Sequence, residues 1–229
     1  MDEAFVATAP GWCRFVARVS GATSSPVSLS LFPTRVYRHQ WRGKPWQRFN
    51  NRLLNECRQF RGDDVGGQRW SEKNYFGGYT SYHSLCRMQA LSPTFAQLEK
   101  KLRRHVVAFA AELEWDLASK PLIMTDCWVN IMPQGVHHSG HIHPLSALSG
   151  TYYVRAPRGS PGLKFEDPRL ARFMAAPPRR ADCSMENRVW HTEPAAAGKF
   201  VLFESWLRHE VAANPLSAER VSISFNYAW

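Results

Sequence analysis

His137-His138-Ser139-Gly140-His141-Ile142-His143-Pro144 is the stretch from which the fold and the chemistry of this chain are read. Together with His209 it holds five of the nine histidines, and neutral imidazole is the commonest nitrogen ligand for a transition metal. His141 and His143 stand two apart, so on a strand or its approach both side chains fall on one face. A third ligand from a distant strand, His209, would close a facial set and leave coordination positions open. Beyond it, Arg220 and Ser222 share a face in the same way. A guanidinium can clamp a carboxylate with two hydrogen bonds, and the hydroxyl can add a third.

Working outward, the segments around these residues read as strands. Thr125 to Met132, Gly150 to Val154, Gly162 to Phe165, Lys199 to Phe203 and Arg220 to Tyr227 are short, β-rich and separated by Gly and Pro turns, which predicts a β sandwich or barrel over residues 121–229. Upstream the period changes. Trp46, Phe49, Leu53, Leu54 and Cys57 recur at helical steps, and Ser92-Pro93 opens a second helix whose stripe is Phe95, Leu98, Leu102, Val106, Phe109 and Leu113. Residues 45–120 thus read as helical support. His105 and the basic run Lys100, Lys101, Arg103 and Arg104 are expected in solvent. Residues 62–83, rich in Gly, Ser, Asn and Tyr, read as a long loop with room for one short strand. Leu29, Leu31, Val36 and Tyr37 read as a first strand interrupted by Pro33. Residues 1–30 show no sustained period and are expected as a poorly ordered leader before a single domain over 31–229.

Composition narrows the class. The 229 residues are 44% hydrophobic and 13% aromatic, enough for one sizeable core. No apolar run reaches the roughly 18 residues of a membrane helix, and no secretory signal opens the chain, so the expected location is cytoplasmic. Five scattered cysteines without a Cys-x-x-Cys pair argue against a disulfide framework or a thiolate zinc site. The formal charge of +10 is concentrated in residues 1–61, with ten Lys and Arg against three Asp and Glu. No nucleic-acid-binding motif accompanies it, so a nucleic-acid partner is not expected.

The order His-x-His, distal His, Arg-x-Ser resembles the iron(II)- and 2-oxoglutarate-dependent oxygenases. More closely, His141 to Val154, Phe165 to Arg169, Leu202 to Val211 and Arg220 to Asn226 look like a bacterial group of such oxygenases of unassigned substrate. The resemblance runs from about Leu31 to Trp229. It implies an α+β, mainly β fold, the double-stranded β-helix or cupin-like jelly roll with N-terminal supporting helices. It also implies an enzyme, most simply a hydroxylase, that couples decarboxylation of 2-oxoglutarate by O2 to oxidation of another molecule. Carried over residue by residue, His141 and His209 match iron histidines, and Arg220 with Ser222 matches the anchor of the far carboxylate of 2-oxoglutarate. Asn130 and Tyr153 are candidates to hydrogen-bond the co-substrate.

His143 stands where most of that superfamily has a carboxylate. Either it completes a three-histidine site or a neighbour takes its place, His138 being the candidate substitute and His137 a weaker one. His39, His83, His105 and His191 have no spacing partners and read as surface or core residues. Two other readings follow from the missing carboxylate: a three-histidine dioxygenase whose substrate chelates iron without 2-oxoglutarate, and a non-catalytic binding or sensing module on the same scaffold. The expected substrate is a small molecule or peptide. Arg155, Arg158, Arg169, Arg179, Arg180 and Arg208 near the anticipated pocket suit an acidic one. A homodimer through a sheet edge or helix face is compatible with the sequence.

Overall fold

Strand alternation separates an apolar face from a polar one, and the fold follows from that division. The computed structural model describes residues 27–117 and 120–229. Residues 1–26, most of the expected leader, lie outside them. In chain order the elements are β1 (Val36–Gln40), α1 (Lys44–Asp63), α2 (Val65–Asn74), β2 (Tyr79–Thr80), α3 (Met88–Leu91), α4 (Pro93–Glu112), β3 (Ile123–Met132), β4 (His138–His141), β5 (Leu148–Arg155), β6 (Leu163–Glu166), β7 (Trp190–Glu193), β8 (Lys199–Glu204), β9 (His209–Val211) and β10 (Arg220–Ala228). They form a six-stranded sheet, β1-β8-β5-β10-β3-β2, and a four-stranded sheet, β4-β9-β6-β7, with antiparallel pairing throughout. The alternation of β3 through β10 between the two sheets is the double-stranded β-helix.

On β10, Val221, Ile223, Phe225 and Tyr227 enter one core with Phe49, Leu53 and Cys57 of α1 and Phe95, Leu98, Leu102 and Phe109 of α4. Each fully buried Phe or Leu there stabilises the fold by roughly 1.5–3 kcal/mol. The intervening Arg220, Ser222, Ser224 and Asn226 face a cavity on the opposite side. Neighbouring strands keep the same phase. Val129 and Ile131 of β3 face the helices while Trp128 and Asn130 face the cavity. The two helices are therefore fixed supports for a sheet whose other face is free for chemistry. Ser92 caps α4, accepting from the Thr94 and Phe95 amides at 3.1 and 3.3 Å.

Three local expectations are corrected. Residues 62–83 carry α2 rather than a continuous loop, followed by the short β2. Asp64 caps α2 by accepting from Gly67 N at 2.9 Å, and a Cβ at residue 67 would lie 2.0 Å from that carboxylate. The glycines that read as loop signals thus serve close packing under a cap. Secondly, Leu29 and Leu31 are outside any strand, and β1 begins only at Val36. Thirdly, His105 is buried at 7% exposure. Arg104 Nε donates to its Nε2 at 3.2 Å, which leaves Nδ1–H to donate to the Tyr37 hydroxyl oxygen at 2.8 Å. Lys100, Lys101, Arg103 and Arg104 are exposed, as their helical phase requires. No helix among the described residues is long and apolar enough to cross a membrane.

Candidate metal and co-substrate site

His141 on β4 and His209 on β9 are direct partners in the ladder of the four-stranded sheet, which brings their ring centroids to 4.4 Å. His143 follows β4, held by its own amide donating to Ser205 O at 3.0 Å. Its ring lies 5.2 Å from His141 and 5.1 Å from His209. One nitrogen from each of the three lies within 4.8 Å of the others. His138 is not in that set. Its Nε2 is 2.7 Å from the Tyr75 hydroxyl, and the two rings stack at 4.5 Å.

The hydrogen bonds around the three rings decide whether they suit a metal. His141 Nδ1 lies 2.7 Å from Ser139 O and His209 Nδ1 lies 2.9 Å from Leu207 O. A carbonyl oxygen only accepts, so each Nδ1 carries the proton and each Nε2 keeps its lone pair. His143 Nδ1 is 2.6 Å from Asn226 Oδ1 and 2.9 Å from Ser149 Oγ. Ser149 Oγ also donates to Asn226 Oδ1 at 2.9 Å, and Asn226 Nδ2 turns toward Asp126 Oδ2 at 3.4 Å, which orients the amide. All three rings are therefore held in the same tautomer by oxygen acceptors behind them, the arrangement that aligns imidazole ligands. Burial is the first cause lowering the pKa of His209, to about 3, aided by His141; burial also lowers that of His143. Neutral imidazole, the form that binds metal, is thereby favoured. This donor set fits one transition-metal ion.

The same cavity is lined by Arg220, 1% exposed. Its Nε donates to Pro161 O at 3.0 Å and its Nη1 to Ser222 Oγ at 2.9 Å, while its guanidinium sits 4.9 Å from the Tyr153 ring centroid. Among the described residues no carboxylate is within ion-pair distance of it. A buried, unpaired cation facing a cavity calls for an anion. Asn130 also lines the cavity: its Nδ2 donates to Ser224 Oγ at 3.1 Å, and its Oδ1 is buried without a partner among the described residues. Tyr153 does not line the cavity. Its hydroxyl accepts from Leu163 N at 3.3 Å, so it stacks behind Arg220 and fixes it.

The cavity measures about 650 Å³. Sequence reasoning brought His141, His143, His209, Arg220, Ser222 and Asn130 to it, but missed Trp70, Tyr75, Tyr82, Trp128 and Asn226. The period-two phase of Asn226 with Ser222 and Ser224 was the available signal; the aromatic residues carried none. Of the six arginines tied to an acidic substrate, none lines the cavity. Arg155, Arg169, Arg180 and Arg208 are instead paired with Glu219, Asp167, Asp182 and Glu166.

Fold and cavity together define a double-stranded β-helix with a histidine-lined pocket of the kind that holds one metal ion. Residues 126–226 match the family described as "Putative 2OG-Fe(II) oxygenase". Over this core the chain is similar to 2-oxoglutarate- and iron(II)-dependent oxygenases. No curated protein sequence matches the chain. Among solved structures, a Pseudomonas putida prolyl-4-hydroxylase is 16% identical over 85% of this chain and 92% of its own, with a TM-score of 0.57. HygX from Streptomyces hygroscopicus, with nickel and 2-oxoglutarate bound, is 11% identical over 85% and 83%, with a TM-score of 0.55. The non-haem alpha-ketoglutarate-dependent epimerase SnoN from nogalamycin biosynthesis is 19% identical over 79% and 71%, with a TM-score of 0.54. At these identities the likeness is one of fold.

Proposed function

We propose that His141, His143 and His209 hold iron(II) through Nε2, and that Arg220 with Ser222 binds the distal carboxylate of 2-oxoglutarate. Iron with the keto acid and O2 supplies the oxidation, in which the substrate gains one oxygen atom and 2-oxoglutarate leaves as succinate and carbon dioxide. Ser139 O, Leu207 O and Asn226 Oδ1 hold the Nδ1 protons and so aim the ligands. Tyr153 and Pro161 O orient the guanidinium. Rotation of the Asn130 amide would let Ser224 O–H donate to Oδ1 and turn Nδ2 toward the co-substrate. Tyr75 occupies His138, and His143 rather than His138 is the third ligand. The free cysteines Cys57, Cys86, Cys127 and Cys183 suit a reducing, cytoplasmic setting.

The observation that carries this reading is the buried Arg220, without a carboxylate partner among the described residues and facing the same cavity as the three imidazoles. It also weighs against a dioxygenase that dispenses with 2-oxoglutarate, since such an enzyme has no use for a buried anion anchor. The test is anaerobic titration of iron(II)-loaded protein with 2-oxoglutarate, followed by visible absorption. The wild type should develop a weak band. Arg220→Ala should bind iron normally but need about 100-fold more keto acid, the scale of losing two charge-assisted hydrogen bonds. His209→Ala should lose iron and succinate formation together. An unshifted titration in Arg220→Ala would refute the anchor.

A further inference from the structure

The outer half of the cavity is built differently from its floor. Its wall is supplied by α2, the turn after it and β3, and among the described residues no carboxylate lines any part of the cavity, while Lys73 and Arg220 are its only Lys or Arg. Arg220 belongs to the floor. At the mouth, Phe76 is 91% exposed, and Tyr82 and Ile142 are also exposed. Large apolar side chains gathered at one rim mark a surface that something covers. Inward from the rim, Tyr82 meets Trp128 edge-to-face at 5.0 Å, and the Trp128 ring lies 5.8 Å from that of His143. Trp70, on α2, also lines the cavity and is held by stacking on His83 at 5.5 Å. Rings thus run from the rim to the edge of the metal site.

We propose that the primary substrate is an uncharged molecule presenting a planar aromatic ring, received against Trp70 and the Tyr82–Trp128 pair so that the atom to be oxidised reaches the three histidines. The inference rests on the oxygenase reading of the same cavity. A ring quadrupole is best met by other rings, edge-to-face or offset, which is what these walls offer. An anionic substrate would find a single lysine at the mouth. A cationic one would find no carboxylate among the described lining residues and would meet Lys73. Specificity would then lie in α2 and β3, away from the residues that bind iron and 2-oxoglutarate.

The experiment uses the full chain with three matched probes: N-acetyl-tyrosinamide, N-acetyl-tyrosine and N-acetyl-leucinamide. Binding is measured anaerobically by saturation-transfer NMR, with and without iron(II) and 2-oxoglutarate, and succinate release is measured separately in air. The neutral aromatic amide should bind roughly tenfold tighter than the acid or the aliphatic amide, the size of one to two ring contacts. Phe76→Ser and Tyr82→Ser, whose side chains are exposed and should leave the fold intact, should each weaken it several-fold, and Trp128→Leu more. Equal binding of the leucinamide, tighter binding of the acid, or indifference to the rim variants would overturn the proposal. Ring-selective binding without succinate release would support ring recognition and sink the oxygenase reading. Succinate release stimulated equally by all three probes would sink the substrate class alone.

Discussion

Asn226 is the residue on which the histidine site turns. The Nδ1 protons of His141 and His209 go to backbone carbonyls, which no substitution removes, whereas that of His143 goes to a side chain. Asn226→Ala should therefore free the His143 ring and lower metal affinity roughly 10–100-fold, the usual effect of losing an acceptor behind a ligand. Competition of nickel(II) between the protein and a chelator measures this, and thermal melting of the metal-free variant separates it from a folding defect. Unchanged affinity would mean that Asn226 does not hold the His143 ring for a metal, Ser149 Oγ at 2.9 Å serving as the acceptor instead. That the three histidines, Arg220 and Ser222 would gather at one cavity was legible because side chains two apart on a strand or its approach share a face. The role of Asn226 was not, since its partners Ser149 and His143 are 77 and 83 residues away in the chain. A hydrogen bond at that separation leaves no mark in local spacing.

Among elements, the start of β6 ties strand packing to the setting of Arg220. Pro161 O accepts from Arg220 Nε, Leu163 N donates to the hydroxyl of Tyr153, and Gly162 stands between them. A Cβ at 162 would fall 2.0 Å from Glu193 O, a backbone atom of β7. Gly162→Ala must push β6 from β7, and we expect a loss of about 1–3 kcal/mol in stability. It should also raise the 2-oxoglutarate concentration needed for the absorption band, because the Pro161 carbonyl moves with the strand; a stability loss with an unshifted titration would separate the two effects. Elements differed in how openly the sequence declared them. α1 and α4 carry long apolar stripes, and β3, β5, β8 and β10 are apolar on at least one face. By contrast α2 was hidden by Gly66 and Gly67, and β4 and β9 are short strands made largely of the polar residues that build the site.

For the molecule as a whole, the six-stranded sheet divides labour between its faces, and acid should attack the packed face independently of the site. His105 lies there beside Tyr37, His39 and Arg104. Burial first, then His39 and Arg104, push its pKa down to about 4. Protonation would convert Nε2 from the acceptor of the Arg104 bond into a second cation beside it. In the unfolded chain the same imidazole titrates near about 6.5, so between those values the unfolded state binds the extra proton. Stability therefore falls as pH drops from about 6.5 to about 4 and levels off below, with this residue contributing at most about 1.4 kcal/mol per pH unit. Melting curves across that window, taken on nickel-saturated protein and compared with His105→Gln, isolate the contribution. The variant should show a shallower acid slope, and the difference should persist in the metal-free protein because His105 is on the helix-packed face, away from the three clustered histidines. Identical slopes would mean that the imidazole is already solvated at Nε2. A difference that vanished on metal removal would mean that the two faces of the sheet are coupled after all.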